Sequence, residues 1–224
     1  KSYDLWHMKD TNFVHQKFLN QKADADHATF TSLVHWMISA DKVIIEEERT
    51  FTLRRAPAPA RIVIDFVSKL KAAAGDLTLD GDPEHAGIHY RPAAELTTSE
   101  TVYVFPKEAA DPTKDLEYPW VGESYTLNGK RYSVVHMNHP ENPKNTRYSA
   151  YRDYGRFGAF PRGNIKSGES MTFKYTFLIA DGEMPAADLI QKSWDQFAGV
   201  AAPSPVPPLT VKKVSAKAPP KPKE

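Results

Sequence analysis

The side chains best suited to chemistry lie in three segments rich in histidine, arginine and tyrosine, and residues 84–92, EHAGIHYRP, form the first. In a strand, this segment projects His85, His89 and Arg91 from one face. His85 and His89 would then lie about 13 Å apart at ~3.3 Å per residue, too far to share a metal unless Gly87 marks a bulge. We therefore expect His89 and Arg91 to bind a hydroxyl-rich or carboxylate ligand. The alternative is the exposed polar face of an edge strand.

The second segment, residues 136–143 with the sequence HMNHPENP, leaves a predicted strand and enters a loop that two prolines stiffen. The bend can bring His136 and His139 together, and a metal site would add a carboxylate such as that of Glu141. We interpret His136 and His139 as catalytic groups and Asn142 as a substrate contact. Whether a metal binds stays open, and the alternative role of these residues is to order the loop or to bind a ligand.

The third segment, residues 147–157 with the sequence RYSAYRDYGRF, is dense in arginine and tyrosine. Tyrosine offers a flat apolar face with a hydrogen-bonding tip, and arginine offers a planar fork of donors, so the pair suits stacking on sugar rings and binding their hydroxyls. We expect Arg152 and Tyr154 to bind substrate. Asp153 is a candidate catalytic acid or base, or an ion-pair partner of Arg152. The alternative is a structural corner held by stacked tyrosine and arginine.

The composition limits the chemistry to histidine, acidic, arginine and tyrosine side chains. The chain has 224 residues and no cysteine, which excludes disulfides, thiolate nucleophiles and cysteine-bound metal centres. It contains no phosphate-binding loop, no glycine-rich dinucleotide turn, and neither an HExxH nor a GxSxG signature, so the cofactor is unknown. The longest apolar runs span only a few residues, far short of the ~20 that cross a bilayer. We therefore expect a soluble globular chain without a transmembrane segment.

The C-terminal stretch differs in composition from the rest of the chain. Residues 203–224 hold seven of the 18 prolines, five lysines and one glutamate. Because such a segment buries little apolar surface, we predict a disordered tail here and a β-sandwich domain over residues 1–202. Without the tail, 24 basic and 27 acidic residues remain of the 29 and 28 in the whole chain, so no nucleic-acid partner is expected. The chain starts at Lys1 without a leader, and we expect the domain to be N-terminally incomplete.

Strand patterns dominate the domain. Residues 171–179, MTFKYTFLI, alternate with a period of two and form the clearest strand. Further strands are predicted at residues 12–19, 29–38, 42–53, 61–70, 86–91, 101–105 and 131–138. Asn128-Gly129 predicts a two-residue hairpin turn, and one helix is predicted from Pro185 through Trp194 to its end at Gly199. The fold class predicted is mostly β, an antiparallel β-sandwich or supersandwich with one C-terminal helix.

Two charged residues interrupt the apolar face of the strand predicted at 42–53. Glu47 and Arg49 are in phase with Val43, Ile45 and Phe51. Burial of charges is costly unless they pair or meet water, so this pattern predicts a wet concave face or a shift in strand register.

Several of these segments together carry a resemblance to a known family. The ordered stretches LWHMKDTNFVHQKFL, HWMISADKVIIEEERTFTL, EHAGIHYRPAAEL, NHPENPKNTRYSAYRDYGRFGAFPRG and KSGESMTFKYTFLIADG are similar to the bacterial family of unknown function labelled methane oxygenase PmoA-like. The most specific parts are the HPxNP loop at residues 139–143 and the run at residues 152–157. The family pattern also has a His-rich stretch that would precede Lys1. The strand pattern further resembles sugar-binding supersandwich proteins such as the aldose epimerases (galactose mutarotase-like), which is an analogy of fold.

Three functions follow as hypotheses. The first is a carbohydrate-active or carbohydrate-binding protein of the periplasm or exterior, which holds a small-molecule or oligosaccharide ligand in a cleft lined by histidine, arginine and tyrosine. The second is a non-catalytic binding or structural sandwich. The third, implied by the family label, is a metal-dependent oxygenase in which two histidines and Glu141 or Asp153 form the metal site.

Overall fold

The fold was taken from a computed structural model that describes residues 2–56, 58–83 and 85–214. Within these residues, the chain forms fourteen strands, one short 3-10 turn and one helix. The strands are β1 (Thr11–Ala23), β2 (His27–Ile38), β3 (Lys42–Arg55), β4 (Ala60–Ala72), β5 (Leu77–Leu79), β6 (Ile88–Tyr90), β7 (Val102–Phe105), β8 (Trp120–Leu127), β9 (Lys130–Asn138), β10 (Arg147–Tyr148), β11 (Phe157–Phe160), β12 (Gly163–Ile165), β13 (Ser170–Asp181) and β14 (Thr210–Lys213). The 3-10 turn spans Thr98–Glu100, and the helix α1 spans Ala187–Ala198.

One large antiparallel sheet organises the molecule. Its nine strands follow the order β1-β2-β3-β4-β13-β9-β8-β7-β14. The hairpin between β8 and β9 turns at Asn128 and Gly129, whose φ angles of 52° and 72° are the positive values that a two-residue turn requires. The predicted mostly β, antiparallel sandwich with one C-terminal helix is confirmed.

A small sheet of order β10-β11-β6 packs on one face of the large sheet, and the main core lies between them. The core is rich in aromatic side chains, among them Tyr103, Tyr148 and Phe157. Gly158 allows β11 to approach β6 closely, because a Cβ atom at this position would overlap the carbonyl oxygen of Ile88. The small sheet therefore depends on a glycine in its central strand. A separate two-stranded ribbon pairs β5 with β12.

The helix α1 covers the other face of the large sheet, as its sequence predicted. Ile190 is buried with Trp120, Met137 and Leu178 in a second apolar cluster. The indole nitrogen of Trp194 donates a hydrogen bond to the carbonyl of Asn138 at 2.9 Å. Gly199 ends the helix in the left-handed conformation. No helix among the described residues is long and apolar enough to cross a membrane.

Glu47 and Arg49 do interrupt the inner face of β3, and they do so as a bonded group. Glu47 is only 2% exposed. Its carboxylate accepts hydrogen bonds from the Trp36 indole at 2.8 Å, from Arg49 at 2.7 Å and from the Ser68 hydroxyl at 2.7 Å, and these partners offset the cost of burying the charge. The pairing of β3 with β4 continues without a break through Glu47, whereas the pairing of β3 with β2 shifts by one residue between Ile45 and Val43. A register shift is therefore present in β3, on the side of β2 and just before Glu47.

The predicted disordered tail is wrong for its central part. Residues Thr210–Lys213 form β14, which pairs with β7 at the edge of the large sheet. The Thr210 hydroxyl also donates to the carbonyl of Lys107 at 2.6 Å. Backbone pairing to an open edge orders this stretch although it carries few apolar side chains. Residues 215–224, the rest of the predicted tail, lie outside the described residues.

Candidate functional site

The third chemistry-bearing segment forms a loop of residues 151–156, termed the arginine loop, whose backbone is held by groups at the start of β7. The Thr101 hydroxyl donates to the carbonyl of Asp153 at 2.7 Å, and the Tyr103 hydroxyl donates to the carbonyl of Arg152 at 2.8 Å. Gly155 closes the loop with a φ of 75°, and its backbone nitrogen donates to the Arg152 carbonyl. The loop is thus fixed by a rigid sheet rather than by its own contacts alone.

Arginine and aromatic side chains stack along this loop. The guanidinium of Arg152 lies 5.2 Å from the centre of the Tyr151 ring and 6.0 Å from that of Tyr154. Arg156 lies 5.6 Å from the Tyr154 ring and donates to its hydroxyl at 3.1 Å. The same guanidinium lies 5.4 Å from the ring of Trp6, which belongs to the N-terminal segment. Stacking of arginine on tyrosine within this segment is what the alternative of a structural corner describes, and it extends to Trp6 and Arg156. Binding of substrate by Arg152 and Tyr154 stays a prediction.

Trp6 joins the arginine loop to the first chemistry-bearing segment. Its ring stacks on that of His85 with the centres 4.6 Å apart, and the side chain is 49% exposed. Asp82 orients His85 through a 3.0 Å contact with Nδ1, and His7 meets His85 edge-on at 5.8 Å. In the sequence, the one sign of a role for Trp6 is that it stands beside His7.

His89 presents an unprotonated ring nitrogen to this region. Its Nε2 lies 2.6 Å from the carbonyl oxygen of Ala86, and since a carbonyl only accepts, Nε2 carries the proton. Burial lowers the pKa of His89 to about 4, and the charges of Arg156, Arg152 and His85 lower it further against the opposing Ala86 carbonyl. His89 is therefore neutral near pH 7. Its Nδ1 is buried and has no hydrogen-bond partner among the described residues.

Glu123, which the sequence analysis missed, lies directly beneath the arginine loop. It is 0% exposed, and neither carboxyl oxygen has a hydrogen-bond partner in the described part of the chain. A Cβ atom at Gly155 would lie 2.5 Å from its Oε1, so only glycine fits there. Burial raises the pKa of Glu123 well above the usual value, and the nearby Tyr103 hydroxyl opposes this only in part. The signal was present in the sequence: Glu123 is in phase with Val121 and Tyr125 on the inner face of β8.

His136 is buried in the main core rather than in an open cleft. It is fully enclosed by aromatic rings, with Phe177 at 4.6 Å, Tyr175 at 5.2 Å and Tyr148 at 5.3 Å between centres. Burial lowers the pKa of His136 to about 3, the charge of His89 adds to this, and nearby backbone carbonyls oppose it. The ring is therefore a neutral part of the core.

The loop that follows His136 is tied to β13 and to the helix. The Asn142 amide donates to the Asn138 side chain and to the Lys174 carbonyl, both at 2.7 Å, and accepts from the Lys174 backbone nitrogen at 2.8 Å. His139 packs edge-on against Phe197 of α1 at 4.9 Å. Burial lowers the pKa of His139, and the charge of Lys174 adds to this. His136 and His139 thus contact different partners, and the contacts fit the alternative in which this loop is ordered structurally.

The remaining predicted residues lie apart or at the edge of the cluster. Arg91 is exposed and takes part in none of these contacts. Asp153 is partly exposed, and its backbone carbonyl is the group that Thr101 binds. Among the described residues, no three histidine, aspartate or glutamate side chains are placed to hold a metal ion. The structure therefore brings His89, Arg152 and Tyr154 together, and it leaves His136, His139 and Asn142 elsewhere.

Comparison with known proteins defines the family. Residues 1–195 match the family described as a family of unknown function, DUF6807. The chain belongs to the DUF6807 family. A search of curated proteins finds no match. The description of DUF6807 names no activity, so the PmoA-like label and the likeness to sugar epimerases stay expectations.

The region that matches DUF6807 contains every part of the cluster described above. The N-terminal segment with Trp6, the segment with His85 and His89, and the arginine loop all lie within residues 1–195. Strand β14 lies outside it. The cluster is therefore built wholly within the part of the chain that defines the family.

Proposed function

We propose that this protein binds a carbohydrate, as a monosaccharide or oligosaccharide, at the cluster of Trp6, His85, His89, Arg152, Tyr154 and Arg156. The observation that carries the proposal is the meeting of three distant segments at one half-exposed indole ring, which contacts both His85 and Arg156. Aromatic rings and guanidinium forks beside one another are the groups that pack on sugar rings and bind their hydroxyls.

The hydrogen-bonding capacity of the cluster suits hydroxyl groups, which both donate and accept. Arg152, which is partly exposed, supplies donors only, while the Tyr154 hydroxyl can do either; Arg156 is 4% exposed and packs against the Trp6 ring. His89 has an unprotonated Nδ1, but this atom is buried, so a ligand reaches it only if the side chains around it move. A sugar hydroxyl that donates to the Tyr154 oxygen and accepts from Arg152 would satisfy both of its roles.

If the bound sugar is also transformed, we propose roles for two groups. His89 is the candidate general base, because its Nδ1 carries no proton near pH 7, but this role requires a movement that uncovers the buried atom. Asp153, at the surface of the arginine loop, is the carboxylate suited to act as the acid or base partner. Glu123 is enclosed, so it supports the loop from below rather than meeting a ligand on the surface.

Binding can be tested with a glycan array, followed by calorimetric titration of the sugars that bind. Trp6→Ala should weaken binding of a bound sugar at least about tenfold, which corresponds to loss of one aromatic contact. Phe18→Ala is the matched control, because Phe18 is also 49% exposed and lies on β1. Failure of every sugar to bind, or equal loss in both variants, would contradict the proposal.

A non-catalytic sandwich is the second candidate, and one observation favours it: His136 and Asn142 are enclosed by structural contacts. Under this alternative, replacing His136 and His139 together alters stability and leaves turnover of any bound sugar unchanged. Retention of sugar binding without any product, in both the native protein and this double variant, would favour the alternative. No observation among the described residues favours the oxygenase expected from the family label, for which iron and copper analysis of protein purified without chelator is the direct test.

A further inference from the structure

A cavity lies on the face of the large sheet opposite the main core. It occupies about 350 Å³ between α1 and strands β3, β4, β9 and β13. The alternation of β13 places it there: Tyr175 and Phe177 face the small sheet, whereas Thr176 and Leu178 line the cavity. Its volume falls in the range of small-molecule sites, which is about 300–1,000 Å³.

One wall of the cavity is a closed ion pair. Arg54 donates to Asp65 through Nε at 3.0 Å and through Nη2 at 2.8 Å. The Thr176 hydroxyl adds a third donor to the Asp65 carboxylate at 2.7 Å. These are the only charged side chains that line the cavity in the described part of the chain, and their charges cancel. The wall is therefore polar and rigid without being an ion-binding site.

The other walls add apolar surface and two side chains that can both donate and accept hydrogen bonds. Phe197 supplies the accessible apolar surface, because Met137 is 0% and Leu178 is 4% exposed, and Ser193 and Gln196 of α1 supply a hydroxyl and an amide. Gln196 belongs to the last turn of the helix, where the partial charge of the helix dipole is negative. That field disfavours an anion, and the pairing of Asp65 with Arg54 leaves no carboxylate available for a cation.

We propose that this cavity binds a small neutral molecule that has an apolar ring and an amide or hydroxyl group. The ring packs on Phe197 and against the edge of Leu178, while the polar group exchanges hydrogen bonds with Gln196 and Ser193. The cavity does not share a residue with the cluster around Trp6, so this inference stands independently of sugar binding.

Three probes of nearly equal shape separate this proposal from simple hydrophobic adsorption: benzamide, benzoate and benzylammonium. Each is titrated to millimolar concentration into the ¹⁵N-labelled full chain, and backbone amide shifts are followed by NMR. We expect benzamide to give saturable shifts at Thr176, Leu178 and Gln196. Its affinity should exceed that of either charged probe by at least about tenfold, since those must be desolvated beside a closed ion pair.

Variants of the helix provide the matched control. Ser193→Phe fills the cavity from the half-buried side of α1 and should abolish the benzamide shifts, whereas Lys192→Phe adds the same ring to the exposed side and should retain them. Thermal melting verifies that both variants fold. Trp6→Ala should leave benzamide binding unchanged. The proposal is overturned if no probe gives saturable shifts, if benzoate or benzylammonium binds as well as benzamide, or if Ser193→Phe binds benzamide as the native chain does.

Discussion

The buried carboxyl of Glu123 should make the stability of this protein fall as the pH rises. Its pKa is raised well above the ordinary value of 4.5, because the side chain is 0% exposed and the nearby Tyr103 hydroxyl offsets the burial only in part. Well below pH 4.5, Glu123 is protonated in both the folded and the unfolded chain, and at pH 4.5 half of the unfolded carboxyls are ionised. Above pH 4.5 the unfolded chain loses the proton while the folded chain keeps it, so each pH unit favours the unfolded state until the folded pKa is reached.

The magnitude follows from linkage of one proton to folding. The free energy of unfolding should decrease by up to about 1.4 kcal/mol per pH unit in this window. Glu123→Gln keeps the shape of the side chain and does not titrate, so it should remove this slope. The buried histidines act in the opposite direction: their pKa values are lowered to about 4 for His89 and about 3 for His136, so their contribution is lost as the pH falls below 6.5.

Because the carboxyl and histidine slopes overlap between pH 4.5 and 6.5, the informative quantity is the difference between variant and native protein. Urea unfolding of both, at half-unit steps of about pH 4.5 to 8, gives that difference directly. It should grow with pH in favour of Glu123→Gln, while Glu95→Gln, a change at an exposed position, should give a flat difference. Parallel curves for Glu123→Gln and the native chain would refute the assignment of a buried, protonated carboxyl.

Three further substitutions test the core and the loops. His136→Phe removes an imidazole that must stay neutral inside the aromatic core and replaces it with a ring that cannot be protonated. The midpoint of acid unfolding, measured by circular dichroism, should therefore move to lower pH. Asn142→Ala breaks three hydrogen bonds to neighbouring strands and should lower the free energy of unfolding by about 3 kcal/mol in urea, whereas Glu141→Ala, at an exposed side chain, should change it little. Gly158→Ala places a Cβ atom against the Ile88 carbonyl and should lower the free energy of unfolding by more than about 3 kcal/mol. Gly168→Ala is the control. Its φ of 80° disfavours alanine, but no atom lies within 4 Å of the added Cβ, so its melting temperature should fall less.

The sequence was sufficient for features that depend on local periodicity. Alternation at residues 171–179 placed β13, Asn128-Gly129 placed a hairpin, and the stripe around Trp194 placed α1. Features that depend on partners distant in the sequence could not be predicted from local patterns. Glu47 lies among partners from β2 and β4, and β14 is ordered by the edge of β7, neither of which the local pattern contains.

Likewise, some residues of the candidate site could be predicted from local sequence patterns and others could not. Arg152 and Tyr154 were predicted because their density within one segment is visible in the sequence, and His89 because of its phase with Arg91. The contribution of Trp6 depends on how the N-terminal segment lies against His85, which no local pattern encodes. His136 and His139 were grouped because they are three residues apart, yet the chain leaves β9 between them, so one ring enters the core and the other meets α1.

Strand alternation also separates the two proposed binding regions on the one large sheet. Along β9 and β13, His136 and Phe177 face the small sheet, and Met137 and Leu178 face α1. A neighbouring pair of residues therefore belongs to two different environments separated by the backbone of the sheet. Substitutions of strand residues that face the small sheet should alter the core beneath the arginine loop. Substitutions of those that face α1 should alter the cavity beside the helix. Sugar binding that responds to Trp6 and benzamide binding that responds to Ser193 are thus expected to vary separately, because a β-sheet transmits little between side chains on its opposite faces unless the backbone itself moves.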